Sequence, residues 1–220
     1  MTGTKSRFLP VALLLMITLC ISIADAEEFD HPVTDGPRAI TFDDLISIGR
    51  LGSFEISPDG ELVAFTVTWF DKEENSSNTD IYMVPVKGGD IYPFARSAGN
   101  DYAPCWSPDG KRIAFVSDRD GTAQIWTIPL DGGEAHRVTD IPTGVSGPVW
   151  SPDGKTIAFS SRVYPDCEDM EANGKKLEEE MASEVSARLI DHLLYRHWNH
   201  WRGGRWSHLF LIDLEEGDLV

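Results

Sequence analysis

The chain has 220 residues, with 19 Lys and Arg against 36 Asp and Glu, a formal net charge of −17. That acid excess excludes a nucleic-acid partner, because phosphate contacts need a basic surface, and it disfavours anionic membrane surfaces. Its three cysteines show no Cys-x-x-Cys or His/Cys metal spacing, so neither a metal site nor a cofactor is expected.

The first 26 residues read as a secretory signal. Lys5 and Arg7 supply a positive start, Val11 to Ile23 is an apolar run, and Ala24-Asp25-Ala26 offers a small-x-small cleavage site after Ala26. The apolar run is too short for a comfortable membrane span. The bulky Leu19 before Cys20 argues against lipid attachment. The mature protein is therefore expected in the periplasm or outside the cell, free of the membrane. Residues 27–50 form a lead-in segment with a short helix.

A motif then occurs three times. Ile56-Ser57-Pro58-Asp59-Gly60 precedes Leu62-Val63-Ala64-Phe65, Trp106-Ser107-Pro108-Asp109-Gly110 precedes Arg112-Ile113-Ala114-Phe115, and Trp150-Ser151-Pro152-Asp153-Gly154 precedes Thr156-Ile157-Ala158-Phe159. Proline pre-sets φ for the first corner of a turn, and glycine supplies a positive φ at its close. A second Gly-bearing turn follows each copy, at Lys87-Gly88-Gly89-Asp90, Asp131-Gly132-Gly133-Glu134 and Glu215-Glu216-Gly217-Asp218. Each unit is thus strand, tight turn, strand, loop, strand, Gly-rich turn, strand. Serines 50 and then 44 residues apart give a propeller-blade period. The predicted fold is all-β: an incomplete β-propeller of four-stranded antiparallel blades, about three of them (51–97, 98–141 and 142–220). Trp106 and Trp150 are predicted as equivalent core positions. The third blade has no room for its last strand before Val220, so the chain is expected to be the N-terminal part of a longer protein.

Blade three carries a helical insertion over 163–206, between its second and third strands. Leu177, Met181, Val185, Leu189 and Leu193 recur every four residues, which predicts a helix within 175–198 with one apolar stripe. The following segment is rich in aromatics and histidine. His197, His200 and His208 read as packing groups rather than metal ligands. Cys105 and Cys167 could bridge in an oxidising compartment, and only geometry decides that.

The repeats, together with Ser117-Asp118-Arg119-Asp120-Gly121, resemble those of TolB-like proteins and of prolyl oligopeptidase-family enzymes. Thr41-Phe42-Asp43-Asp44-Leu45-Ile46-Ser47-Ile48 and Leu194-Tyr195-Arg196-His197-Trp198 resemble the dipeptidyl aminopeptidase and acylaminoacyl peptidase branch more specifically. The resemblance implies a secreted serine peptidase acting on peptides. A propeller would restrict access to a separate α/β-hydrolase domain carrying Ser-Asp-His. This sequence holds no Gly-x-Ser-x-Gly nucleophile elbow; Gly144-Val145-Ser146-Gly147-Pro148 has the wrong spacing and precedes a strand. No catalytic residue is assigned, and this chain alone is not expected to hydrolyse peptides. Some relatives hold the substrate's amino terminus with a glutamate pair on a propeller insertion, which makes Glu178, Glu179 and Glu180 the substrate-binding candidates. The alternative is a non-catalytic TolB-like propeller that binds proteins of the cell envelope.

Overall fold

The structure, a computed structural model, describes residues 38–185, 187, 190, 196–198, 200, 201, 203–215, 217 and 219. The expected signal segment and its cleavage site lie outside the described residues. The chain forms two compact units, one ending at Pro104 and the other starting at Cys105.

In the first unit, helix α1 (Phe42–Ser47) is held by a capping box. The Thr41 amide and hydroxyl both donate to the Asp44 carboxylate, at 2.7 and 2.8 Å. Arg38 pairs with the same carboxylate and holds it well below the usual range. Strands β1 (Arg50–Ile56), β2 (Leu62–Asp71), β3 (Ser76–Pro85) and β4 (Tyr92–Ala95) then form an antiparallel sheet in chain order. The β2–β3 ladder is long, from Leu62 opposite Pro85 to Asp71 opposite Ser76.

Sheet two runs β5 (Asp101–Trp106), β6 (Arg112–Ser117), β7 (Gln124–Pro129) and β8 (His136–Arg137), also in chain order. Sheet three pairs β9 (Ser146–Trp150) with β10 (Thr156–Val163), and β10 in turn with β13 (Trp206–Asp213). Leu219 makes an isolated antiparallel bridge to Ile212. Between β10 and β13 lie helix α2 (Met170–Ala182) and a small ladder of β11 (Arg196–His197) with β12 (His200–Trp201). Sheets one and two are four-stranded antiparallel blades of propeller type, and sheet three is a three-stranded antiparallel sheet of the same kind that carries the insertion.

The repeat reaches the core. Phe65, Phe115 and Phe159 occupy the same place in the three sheets and are all buried. Each faces an aromatic on the next strand: Tyr82, Trp126 and Phe210. Such cross-strand pairs are the unit of sheet stabilisation. Trp106 and Trp150 are buried too, while their counterpart Ile56 is 46% exposed.

Helix α2 departs from the sequence reading. It starts at Met170, because the Asp169 side chain caps it by accepting the Ala172 N–H at 2.8 Å. It ends at Ser183, whose backbone is already extended. The residues it buries are Asn173 and Gly174, not the apolar stripe. Gly174 sits so close to Pro142 that an added Cβ would come within 2.9 Å of the proline Cβ. Leu177 is half-buried, Met181 and Val185 are exposed and Val185 is outside the helix; Leu189 and Leu193 lie outside the described residues. A side-chain cap and one tight glycine–proline contact thus set where the described helix starts and what it packs on. Cys105 and Cys167 are not bridged to each other.

Candidate functional site: the insertion root and the repeated turns

The insertion is rooted on Tyr164, the residue after β10, only 2% exposed. Its amide N–H donates to the Asn173 side-chain oxygen at 2.7 Å, while the Asn173 amide nitrogen donates to the Asp169 carbonyl at 2.7 Å. The Tyr164 carbonyl accepts the Cys167 N–H at 3.1 Å. Asn173 therefore fastens the start of the helix to the end of the strand. The sequence reading missed this clasp; its only trace is an asparagine one helical turn after a capping aspartate.

Two cations flank the Tyr164 ring. Lys176 Nζ lies 4.6 Å from the ring centroid and the Arg205 guanidinium 5.9 Å, both within cation–π range. Lys176 also donates to both oxygens of Asp166, at 2.9 and 2.7 Å. That pairing raises the lysine and lowers the carboxyl. The Tyr164 hydroxyl is enclosed and meets no partner in hydrogen-bond geometry. Burial first, and then the approach of Glu180, push this phenol up to about 12.

Glu178, Glu179 and Glu180 all sit exposed on the last turns of α2. Successive helical residues diverge by about 100°, so the three carboxylates do not converge on one point. Glu180 turns towards Tyr164. His197 and His200 oppose each other across the β11–β12 ladder, and His208 is exposed opposite Ser161 on β10. Among the described residues no three His, Cys, Asp or Glu side chains are grouped to hold a metal ion. Ser146 opens β9, its hydroxyl 2.9 Å from that of Ser160. That is a strand position, without the helix that a nucleophile elbow requires.

The Ser-Pro-Asp-Gly turns are built alike. In each, the serine hydroxyl donates to the aspartate at 2.6 Å: Ser57 to Asp59, Ser107 to Asp109 and Ser151 to Asp153. The same carboxylate oxygen accepts the amide two residues on, from Glu61, Lys111 and Lys155. The serine oxygen accepts the amide five residues on, from Leu62, Arg112 and Thr156. Hydrogen bonding, the serine's foremost, lowers all three aspartates. Between the second and third turns lies a cleft of about 340 Å³ lined by Ser107, Asp109, Arg112, Pro152 and Asp153.

Antiparallel sheets repeated around identical turns, with aromatic pairs in register, define a β-propeller repeat protein. The model of PD40, the TolB beta propeller domain, matches residues 48–187, well over half of the chain, and the chain belongs to that family. It is 28% identical over 194 residues to dipeptidyl-peptidase 5 of Porphyromonas endodontalis, covering 87% of this chain and 27% of that protein. It is 33% identical over 86 residues to the uncharacterized peptidase YuxL of Bacillus subtilis, covering 39% of this chain and 13% of the relative. The acylaminoacyl peptidase of Pyrococcus horikoshii shares the fold, with a TM-score of 0.60 at 21% identity over 80% of this chain and 25% of that one. The chain thus spans between an eighth and about a quarter of the length of these curated relatives. It corresponds to the propeller portion of peptidase-like proteins. No helix among the described residues is long and apolar enough to cross a membrane.

Proposed function

We propose that this chain is the N-terminal propeller portion of an exported serine peptidase of the dipeptidyl-peptidase or acylaminoacyl-peptidase type. In that reading the propeller gates the approach of peptide substrates to a catalytic domain that this chain does not contain. The observation that carries it is the match to dipeptidyl-peptidase 5 over 87% of the chain. A match of that length takes in all of sheets one and two and helix α2, not the repeated turns alone. The acid excess accords with an ammonium-bearing peptide as the approaching ligand. Within the insertion, Glu178, Glu179 and Glu180 are assigned to attract the substrate's free amino terminus.

The test uses the full-length gene product with a fluorophosphonate probe and a panel of dipeptidyl and acyl-aminoacyl nitroanilides. Labelling of one serine outside residues 1–220, with hydrolysis of one substrate class, supports the reading. A full-length protein with no reactive serine would replace it with the binding-only TolB-type role.

A further inference from the structure

Two asparagines of this chain stand directly before a glycine or a serine: Asn75 before Ser76 and Asn173 before Gly174. A small successor leaves its backbone nitrogen free to attack the asparagine's side-chain carbonyl carbon. In an unfolded chain the glycine pair reacts faster, because no Cβ shields its nitrogen. The fold reverses that order. Asn173 is 4% exposed, and both ends of its amide are engaged, the oxygen by the Tyr164 N–H and the nitrogen by the Asp169 carbonyl. Asn173 and Gly174 lie inside α2, whose helical backbone turns the Gly174 nitrogen away from the asparagine side chain. Gly174 is also wedged against Pro142.

Asn75 is in the opposite state. It ends the turn 72–75 between β2 and β3 and is exposed, as are Ser76 and Ser77. Its φ of +49° is left-handed, a conformation that asparagine tolerates. Among the described residues no hydrogen bond holds its side-chain amide. The ladder closes immediately beyond it, with Asp71 opposite Ser76, and the end pair of a hairpin opens at little cost. We infer that Asn75 is a site of spontaneous deamidation, and that the fold protects Asn173, the more reactive of the two by sequence. The Ser76 backbone nitrogen attacks Cγ of Asn75. A C–N bond forms, the side-chain amide nitrogen leaves as ammonia with the proton that Ser76 loses, and a cyclic imide remains. Water then opens the imide at either carbonyl. One opening gives aspartate; the other gives isoaspartate, in which the main chain runs through the side-chain carbonyl. Either product adds a carboxylate to a turn that already carries Glu73 and Glu74. Asn75 also lines a cleft of about 340 Å³ with Phe42, Phe70 and Lys72, so the conversion recharges that cleft. The inference stands apart from the peptidase reading, since it requires no catalytic domain.

Peptide mapping by mass spectrometry tests it, on the full-length gene product aged at neutral and mildly alkaline pH, folded in one arm and in urea in the other. A fragmentation that separates aspartate from isoaspartate reads both asparagines. In the folded arm Asn75 converts at least about tenfold faster than Asn173, which must wait for the helix root to open. Isoaspartate at residue 75 marks the imide. In urea the order inverts, and Asn173 is the faster. Ser76→Val, whose branched side chain crowds the attacking nitrogen, slows Asn75 and leaves Asn173 unchanged. A folded protein in which Asn173 converts as fast as Asn75 overturns the inference. So does an Asn75 that stays intact in the folded arm while it converts in urea. An unchanged rate in Ser76→Val, with aspartate as the sole product, also overturns it, by showing direct hydrolysis in place of attack by Ser76.

Discussion

The indole N–H of Trp150 donates to the backbone carbonyl of Cys105 at 3.1 Å, tying the first strand of sheet three to that of sheet two. The Arg112 guanidinium lies 5.0 Å over the same indole. One side chain thus joins two repeats by hydrophobic burial, a hydrogen bond and a cation–π contact.

Trp150→Ala is expected to destabilise the chain by about 3–5 kcal/mol, the usual cost of emptying a large buried aromatic site. Trp150→Phe keeps most of the apolar volume but leaves the Cys105 carbonyl without its donor. Its expected cost is smaller, about 1–3 kcal/mol. Urea unfolding of the two variants checks both the size and the order. Equal losses would mean that the hydrogen bond contributes nothing beyond packing.

The three turn aspartates make stability depend on acid. Asp59, Asp109 and Asp153 are all lowered by their serine partners and by backbone amides. The folded chain therefore binds these protons less readily than the unfolded chain, whose aspartates titrate at about pH 4. The stabilisation is complete above that pH and is lost as pH falls through the lower folded values. Urea midpoints measured from pH 7 to pH 2 should drop most steeply below about pH 4. Ser107→Ala, which removes the foremost cause for Asp109, should flatten part of that drop.

Asn173 is expected to hold the insertion in place. Asn173→Ala leaves the buried Tyr164 N–H unpaired and should cost about 1–3 kcal/mol, the penalty for an orphaned buried donor. Limited proteolysis should then cut within residues 164–205 faster than in the parent chain. Unchanged cutting would mean that the helix is held by Gly174 and Pro142 alone.

Glu180 is separable from its two neighbours. Glu180→Gln removes the negative charge beside Tyr164, so one tyrosine should titrate lower in a spectroscopic titration than the value of about 12 in the native chain. Glu178→Gln and Glu179→Gln should leave that titration alone. In the full-length peptidase proposed here, Glu179→Lys should raise KM for substrates with a free amino terminus and spare blocked ones. Equal kinetics on both classes would leave the helix a packing element.

The repeated turns were legible in the sequence because every bond that makes them lies within the motif. Ser107, Asp109, Gly110 and Arg112 satisfy one another with no help from elsewhere. The aromatic pairs were not read from the sequence; they depend on a strand register that only the assembled sheets show. The insertion was not legible in the same way. Its helix is positioned by Asp169 at its start, and by Gly174 against Pro142, a contact between residues far apart in sequence. The four-residue apolar spacing from Leu177 to Leu193 gave no hint of either. The Tyr164–Asn173 clasp likewise exists only once strand and helix meet.

Because every bond of the Ser-Pro-Asp-Gly turn links residues no more than five apart, the turn needs no distant neighbour to bend the chain correctly. A gene segment encoding one such unit can be duplicated or moved, and the new copy will still turn where the old one did. The side chain in front of the serine takes no part in these bonds and differs between repeats. In this chain that residue is an aromatic twice and an isoleucine once. The turn is thus a portable unit whose bonds do not involve the side chain of the residue ahead of it.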